Sequence, residues 1–101
     1  MTVQHGFQAT VTAQPGKGDE LVALLLDAPS LPHEDCVVFL VSRSASNPDV
    51  IHITEGWTSQ EAHSAFFATA PAQALVAKLQ SLTAGESQYT DAVPVGGKPA
   101  F

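Results

Sequence analysis

The chain has 101 residues, of which 45% are hydrophobic and only 14% charged. That length holds one core rather than two, and so low a charge content implies that part of the surface is covered, most simply by a second copy of the chain. The formal net charge of -6, with Lys17, Arg43, Lys78 and Lys98 as the cations, argues against nucleic acid and anionic lipid as partners.

Residues 3–13 alternate, with His5, Phe7, Ala9 and Val11 on one face and Gln4, Gln8, Thr10 and Thr12 on the other, which predicts a half-buried strand. Pro15-Gly16-Lys17-Gly18 ends it. Asp19 and Glu20 then place negative charge in the first turn of a helix whose apolar stripe is Leu21, Leu24, Leu25 and Ala28, and Pro29 and Pro32 forbid its continuation. The run Cys36-Val37-Val38-Phe39-Leu40-Val41 predicts a strand buried on both faces, with Cys36 as an inert thiol. A single cysteine leaves no intrachain disulfide. A turn-forming stretch, 44–49, joins this strand to a third over 50–57, where Ile51, Ile53, Glu55 and Trp57 share one face and His52 and Thr54 the other.

Thr58-Ser59-Gln60-Glu61 matches a capping box, with Thr58 as the cap and Glu61 reaching back. Its helix runs to about residue 68, and Pro71 opens another whose stripe is Leu75, Val76, Leu79 and Leu82. Ala84-Gly85 closes that helix, and residues 87–95 read as a last strand with Tyr89, Asp91 and Val93 on one face. The order β-α-β-β-α-β is the ferredoxin-like α+β arrangement, an antiparallel sheet with helices on one face. Residues 1–95 read as a single domain and 96–101 as a tail. Because helices cover one face only, the apolar 36–41 strand predicts that the other face packs on a partner sheet in a homodimer. No run reaches membrane-spanning length and the N-terminus lacks a basic-then-apolar leader, so a soluble cytoplasmic protein with no membrane partner is expected.

No two histidines stand at i, i+4 and none is spaced with the cysteine as a zinc ligand set, so no metal is expected. There is no nucleophile elbow, and Gly16-Lys17-Gly18 is a strand-to-helix turn rather than a phosphate loop. What remains is a pocket. Phe7, Ala9, Ile53, Glu55 and Trp57 point the same way as the buried sides of the helices, and one helical turn links His63 to Phe66 and Phe67. This wall suits a flat aromatic ligand, although for Trp57 and the phenylalanines packing in the core weighs more than ligand contact. His63 is either solvated or turned to the pocket, where its imidazole suits proton transfer. Glu55 requires a partner, whether backbone amides, Arg43 or a pocket proton donor. His5, His33 and His52 read as solvated or structural.

The strand ending in Pro15-Gly16-Lys17, the Glu55-x-Trp57 that closes the third strand, and Trp57-x-Ser59-x-Glu61-Ala62-His63 together resemble the antibiotic biosynthesis monooxygenase family, which includes quinol monooxygenases. The resemblance implies a dimeric α/β barrel and an oxygenation of electron-rich phenols or quinols by O2 without a cofactor, in which the substrate anion reduces O2 and the protein deprotonates, orients and excludes water. It further implies that Trp57 lines the cavity and that His63 moves the proton. Many members carry a histidine nine residues after the tryptophan, where this chain has Phe66. The haem-degrading branch uses an asparagine, a tryptophan and a histidine where Ala9, Phe66 and Val76 stand here, which argues against haem degradation. The competing expectation is a non-catalytic dimeric module that binds a small apolar ligand.

Overall fold

Strand β1 (His5–Thr12) takes the centre because its alternation gives it one face to bury along its whole length. The computed structural model describes residues 3–98, so residues 99–101 of the predicted tail lie outside it. After β1 come α1 (Gly18–Leu26), β2 (Cys36–Arg43), β3 (Val50–Trp57), α2 (Gln60–Phe67), α3 (Ala70–Leu82) and β4 (Gln88–Ala92). The four strands form one sheet in the order β2-β3-β1-β4, every pair antiparallel. This is the expected ferredoxin-like α+β topology, with the second helical segment divided in two at Ala68 and Thr69.

The register fixes which side chains meet. Across β1 and β3, His5 faces Trp57, Phe7 faces Glu55, Ala9 faces Ile53 and Val11 faces Ile51. Directly opposed residues share a face, so the sequence alternations of the two strands combine into one surface. Ala9, Val11, Ile51 and Ile53 from that surface and Leu21 and Leu25 from α1 make the core, with Phe39, Val41 and Leu79 packed at its edge. Burying a side chain such as Leu21 or Ile51, both 0% exposed, contributes about 2 kcal/mol.

Helix α1 has no side-chain cap of its own at Lys17. Asp49, from the β2–β3 turn, substitutes for one: its carboxylate accepts from Gly16 N–H at 3.2 Å and Gly18 N–H at 3.0 Å. Gly16 takes a positive φ of 79°, which a side chain would resist. A Cβ on Gly18 would meet the Pro48 carbonyl, so both glycines serve this docking.

Two expectations are corrected. Helix α2 is capped by Ser59, whose hydroxyl accepts from Ala62 N–H at 3.0 Å; Thr58 instead donates to Asp35 Oδ1 at 2.8 Å. The frame of the capping box is thus one residue late, and Ala62 stands at the position where it needs a glutamate. Strand β4 ends at Ala92, the residue paired with Gly6, and Pro94 just beyond has no N–H with which to extend a ladder. Strand β2 is an edge strand and is not buried on both sides within the chain: Val37 is 47% exposed, and Val38 and Leu40 are half-buried. Its apolar character therefore exceeds what one copy of the chain covers.

Candidate functional site

The helix-facing side of the sheet and helices α2 and α3 enclose a cavity of about 620 Å³, within the usual size of small-molecule sites. Phe7, Ala9, Phe39, Ile53, Leu75 and Val76 give it apolar walls, and His5, Glu55, His63 and Asp91 gather on its polar side. Of the residues expected to form the site, Phe7, Ala9, Ile53, Glu55, His63, Phe66 and Phe67 all face this space.

Trp57 stands behind the wall rather than in it. Its ring is 0% exposed and packs on His63, Phe66 and His33 at centroid distances of 5.0, 5.1 and 5.5 Å. Its indole N–H donates to Glu55 Oε1 at 2.9 Å, while Arg43 pairs with Asp19 at 2.8 Å and takes no part. The tryptophan thus serves as a rigid backing that aims Glu55 and supports the ring of His63. Residues two apart on a strand project to the same side, which is why the spacing Glu55-x-Trp57 can close this bond.

Burial shifts the balance of both Glu55 and His63 toward the neutral form. Burial raises the Glu55 carboxyl above its ordinary value, and the Trp57 hydrogen bond opposes that only in part. Burial lowers His63, the nearby His5 lowers it further, and Asp91 acts in the other direction. His63 Nε2 lies 3.9 Å from Glu55 Oε1. A neutral histidine in an apolar cavity can accept a proton, and a carboxylate beside it can stabilise the cation that results.

The first-strand histidine belongs to the same cluster. His5 is buried, and its Nε2 lies 3.1 Å from His63 Nδ1 and 3.4 Å from Asp91 Oδ1. Tyr89, two residues before Asp91 on β4, stacks on Phe7 at 5.8 Å. Sequence reasoning gave His5 and His33 no part in the pocket. For His5 a signal existed, since it alternates in phase with Phe7, Ala9 and Val11. Asp91 and Tyr89 could not be placed without the β1–β4 register, which sets them opposite Phe7 and Ala9. His33 is held in a loop by its Nδ1, which accepts from Asp35 N–H at 3.1 Å, and meets Phe66 edge-on at 5.2 Å. His52 lies on the other face of the sheet, with Thr10. Among the described residues, no group of three or more His, Cys, Asp or Glu side chains is placed to hold a metal ion, and no helix is long and apolar enough to cross a membrane.

Residues 5–78 match the family model for antibiotic biosynthesis monooxygenase. A crystal structure from Chloroflexus aurantiacus, named for the antibiotic biosynthesis monooxygenases, is 31% identical, with a TM-score of 0.83 over 95% of this chain and 97% of that one. A second, from Caulobacter crescentus and named for the same group, is 23% identical, covers 94% of this chain and 92% of its own, and has a TM-score of 0.83. Rv0793 from Mycobacterium tuberculosis shares the fold at 18% identity, with a TM-score of 0.82 and coverage of 94% and 98%. No curated protein matches the chain.

Proposed function

The chain belongs to the antibiotic biosynthesis monooxygenase family, which supports a monooxygenase role in general, and from that premise we propose that it oxidises an electron-rich phenol or quinol with O2, without a cofactor, in the cavity between sheet and helices. The observation that carries the reading is His63, a histidine disposed to stay neutral, in the wall of a largely apolar space of about 620 Å³. Its Nδ1 is engaged by His5, which leaves Nε2 as the nitrogen for a substrate proton.

In this reading His63 Nε2 takes the phenolic proton, and the electron-rich anion reduces O2. One oxygen atom is bonded to a ring carbon, and the O–O bond then breaks. The second oxygen leaves as water with two hydrogens drawn from the substrate, one of them returned through His63. All electrons come from the substrate, which ends as a quinone. Phe7, Phe66 and Phe67 hold the ring plane and keep the anion away from water, and Glu55 sits close enough to His63 Nε2 to stabilise the imidazolium.

We further propose that two copies pair through the sheet face left uncovered by helices. The half-buried apolar residues of β2 support this, because a self-complementary patch needs no second kind of partner. A monomeric mass at micromolar concentration would contradict it.

The test of the oxygenase reading is oxygen uptake with a panel of hydroquinones and anthrone-like phenols in the presence of a chelator. Turnover is expected, and His63→Ala should lower kcat by about a hundredfold, the scale of general-base catalysis. No uptake with any of them would favour the alternative of a non-catalytic module that binds a small apolar ligand.

A further inference from the structure

We propose that His63 acts as half of a proton-sharing pair, in which His5 is the second acceptor and Asp91 is the counter-ion to the added positive charge. The inference rests on the oxygenase reading for its use, but the pairing itself is a property of the folded chain.

Three elements build it. His5 comes from β1, His63 from α2 and Asp91 from β4; the register pairs Asp91 with Phe7, which makes it the diagonal neighbour of His5 on the same face. His5 Nε2 and His63 Nδ1 are 3.1 Å apart. Two ring nitrogens at that distance bind only with one proton between them, since two would repel and none would leave both lone pairs facing each other. The rings themselves are close, with centroids 5.1 Å apart. Asp91 Oδ1 lies 3.4 Å from the same His5 nitrogen, with its side chain 71% exposed, whereas the His5 side chain is only 10% exposed. The proton thus has one position on His63, beside the cavity, and one on His5, next to a carboxylate that reaches water.

With the shared proton on His63 Nδ1, His63 Nε2 is free to take a proton from the substrate. The shared proton then moves to His5 Nε2. His63 is left neutral, and His5, which keeps its own proton on Nδ1, becomes an imidazolium against Asp91. Charge is conserved at each step: the substrate becomes an anion, and the positive charge rests one ring farther from it. The reverse movement returns the proton to the departing oxygen. The other titratable groups facing this cluster are Glu55 from β3, 3.9 Å from His63 Nε2, and Tyr89 from β4, which stacks on Phe7. Glu55 accepts from Trp57 and approaches His63 at Nε2, whereas His5 meets His63 at Nδ1 and Asp91 at its own Nε2.

Two measurements on the full chain test this separately. Histidine-resolved NMR titration needs no substrate: both rings should respond to one protonation event, the His63 midpoint should rise in His5→Gln, and it should fall in Asp91→Asn. Charge proximity alone gives the opposed shifts as well, but with each ring titrating in its own step. Independent titration of the two rings therefore overturns the pair. In oxygen uptake, His5→Gln, whose amide can bond to His63 but cannot take its proton, should lower kcat about tenfold with KM within about twofold. Asp91→Asn should move the acid limb of kcat/KM to lower pH, and free imidazole should restore part of the activity of His5→Ala. Unchanged kcat in a folded His5→Gln overturns the transfer step. If the wild type takes up no oxygen with any phenol, the oxygenase reading fails, and the titration still decides whether the pair exists.

Discussion

Trp57→Phe separates the tryptophan's service to Glu55 from its packing. The phenyl ring keeps the contact with His63 and Phe66 but has no N–H for Glu55 Oε1, which Trp57 now holds at 2.9 Å. A hydrogen bond to a charged acceptor is worth about 2 kcal/mol. Trp57 is 0% exposed, and the smaller ring loses roughly 50 Å² of buried apolar surface, or about 1 kcal/mol. The expected loss of about 3 kcal/mol lowers the melting temperature by about 15 °C for a domain of this size. The loss should also depend on pH. Burial leaves Glu55 with a folded-state pKa above its unfolded one, so its ionisation costs stability as pH rises through that range, and the indole bond reduces that cost. The variant's Glu55 is raised further. The difference between the two proteins is therefore complete above the variant's pKa and fades as pH falls through the wild type's, leaving mostly the packing loss. Thermal unfolding by circular dichroism, at one protein concentration and at about pH 8 and about pH 4.5, reads both components. An equal loss at the two pH values, or a loss under about 1 kcal/mol at the higher one, would refute the argument that the bond to Glu55 dominates.

Other expectations are more local. Ser59→Ala should cost about 1 kcal/mol through loss of the α2 cap, while Glu61→Ala should stay within about 0.5 kcal/mol; denaturant melts that rank them the other way would restore the cap to Thr58. Burial, with the Glu55 charge adding to it, pushes the Cys36 thiol up to about 11, so iodoacetamide should modify the folded protein at least about tenfold more slowly than the urea-unfolded chain. Because burial and His5 hold His63 below its ordinary value of 6.5, kcat/KM should rise with pH to a plateau reached below the usual histidine range; an acid limb centred above it would remove His63 as the base. Phe67, 48% exposed at the edge of the cavity, should raise KM on truncation to Ala while leaving the melting temperature within about 5 °C, since little burial is lost.

The sequence by itself determined the elements, their order and the buried face of each central strand. Period-2 alternation in His5 to Val11 and Ile51 to Trp57 leaves one choice of inward side, and Pro15, Pro29, Pro32 and Pro71 limit where helices run. Those are local properties of the chain, and with the family resemblance they were enough to name seven of the residues that line the cavity. Tertiary structure alone decided what the inward side chains meet. Ser59 rather than Thr58 caps α2 because Asp35, distant in sequence, takes the Thr58 hydroxyl. Trp57, expected in the wall, lies behind it because α2 brings His63 and Phe66 across its face. His5 reads as an unremarked residue near the N-terminus, and Asp91 as a polar residue of a short edge strand. Their meeting with His63 depends on the β1–β4 register and on the descent of α2 onto the sheet, and no spacing along a single strand or helix encodes a contact made among three of them.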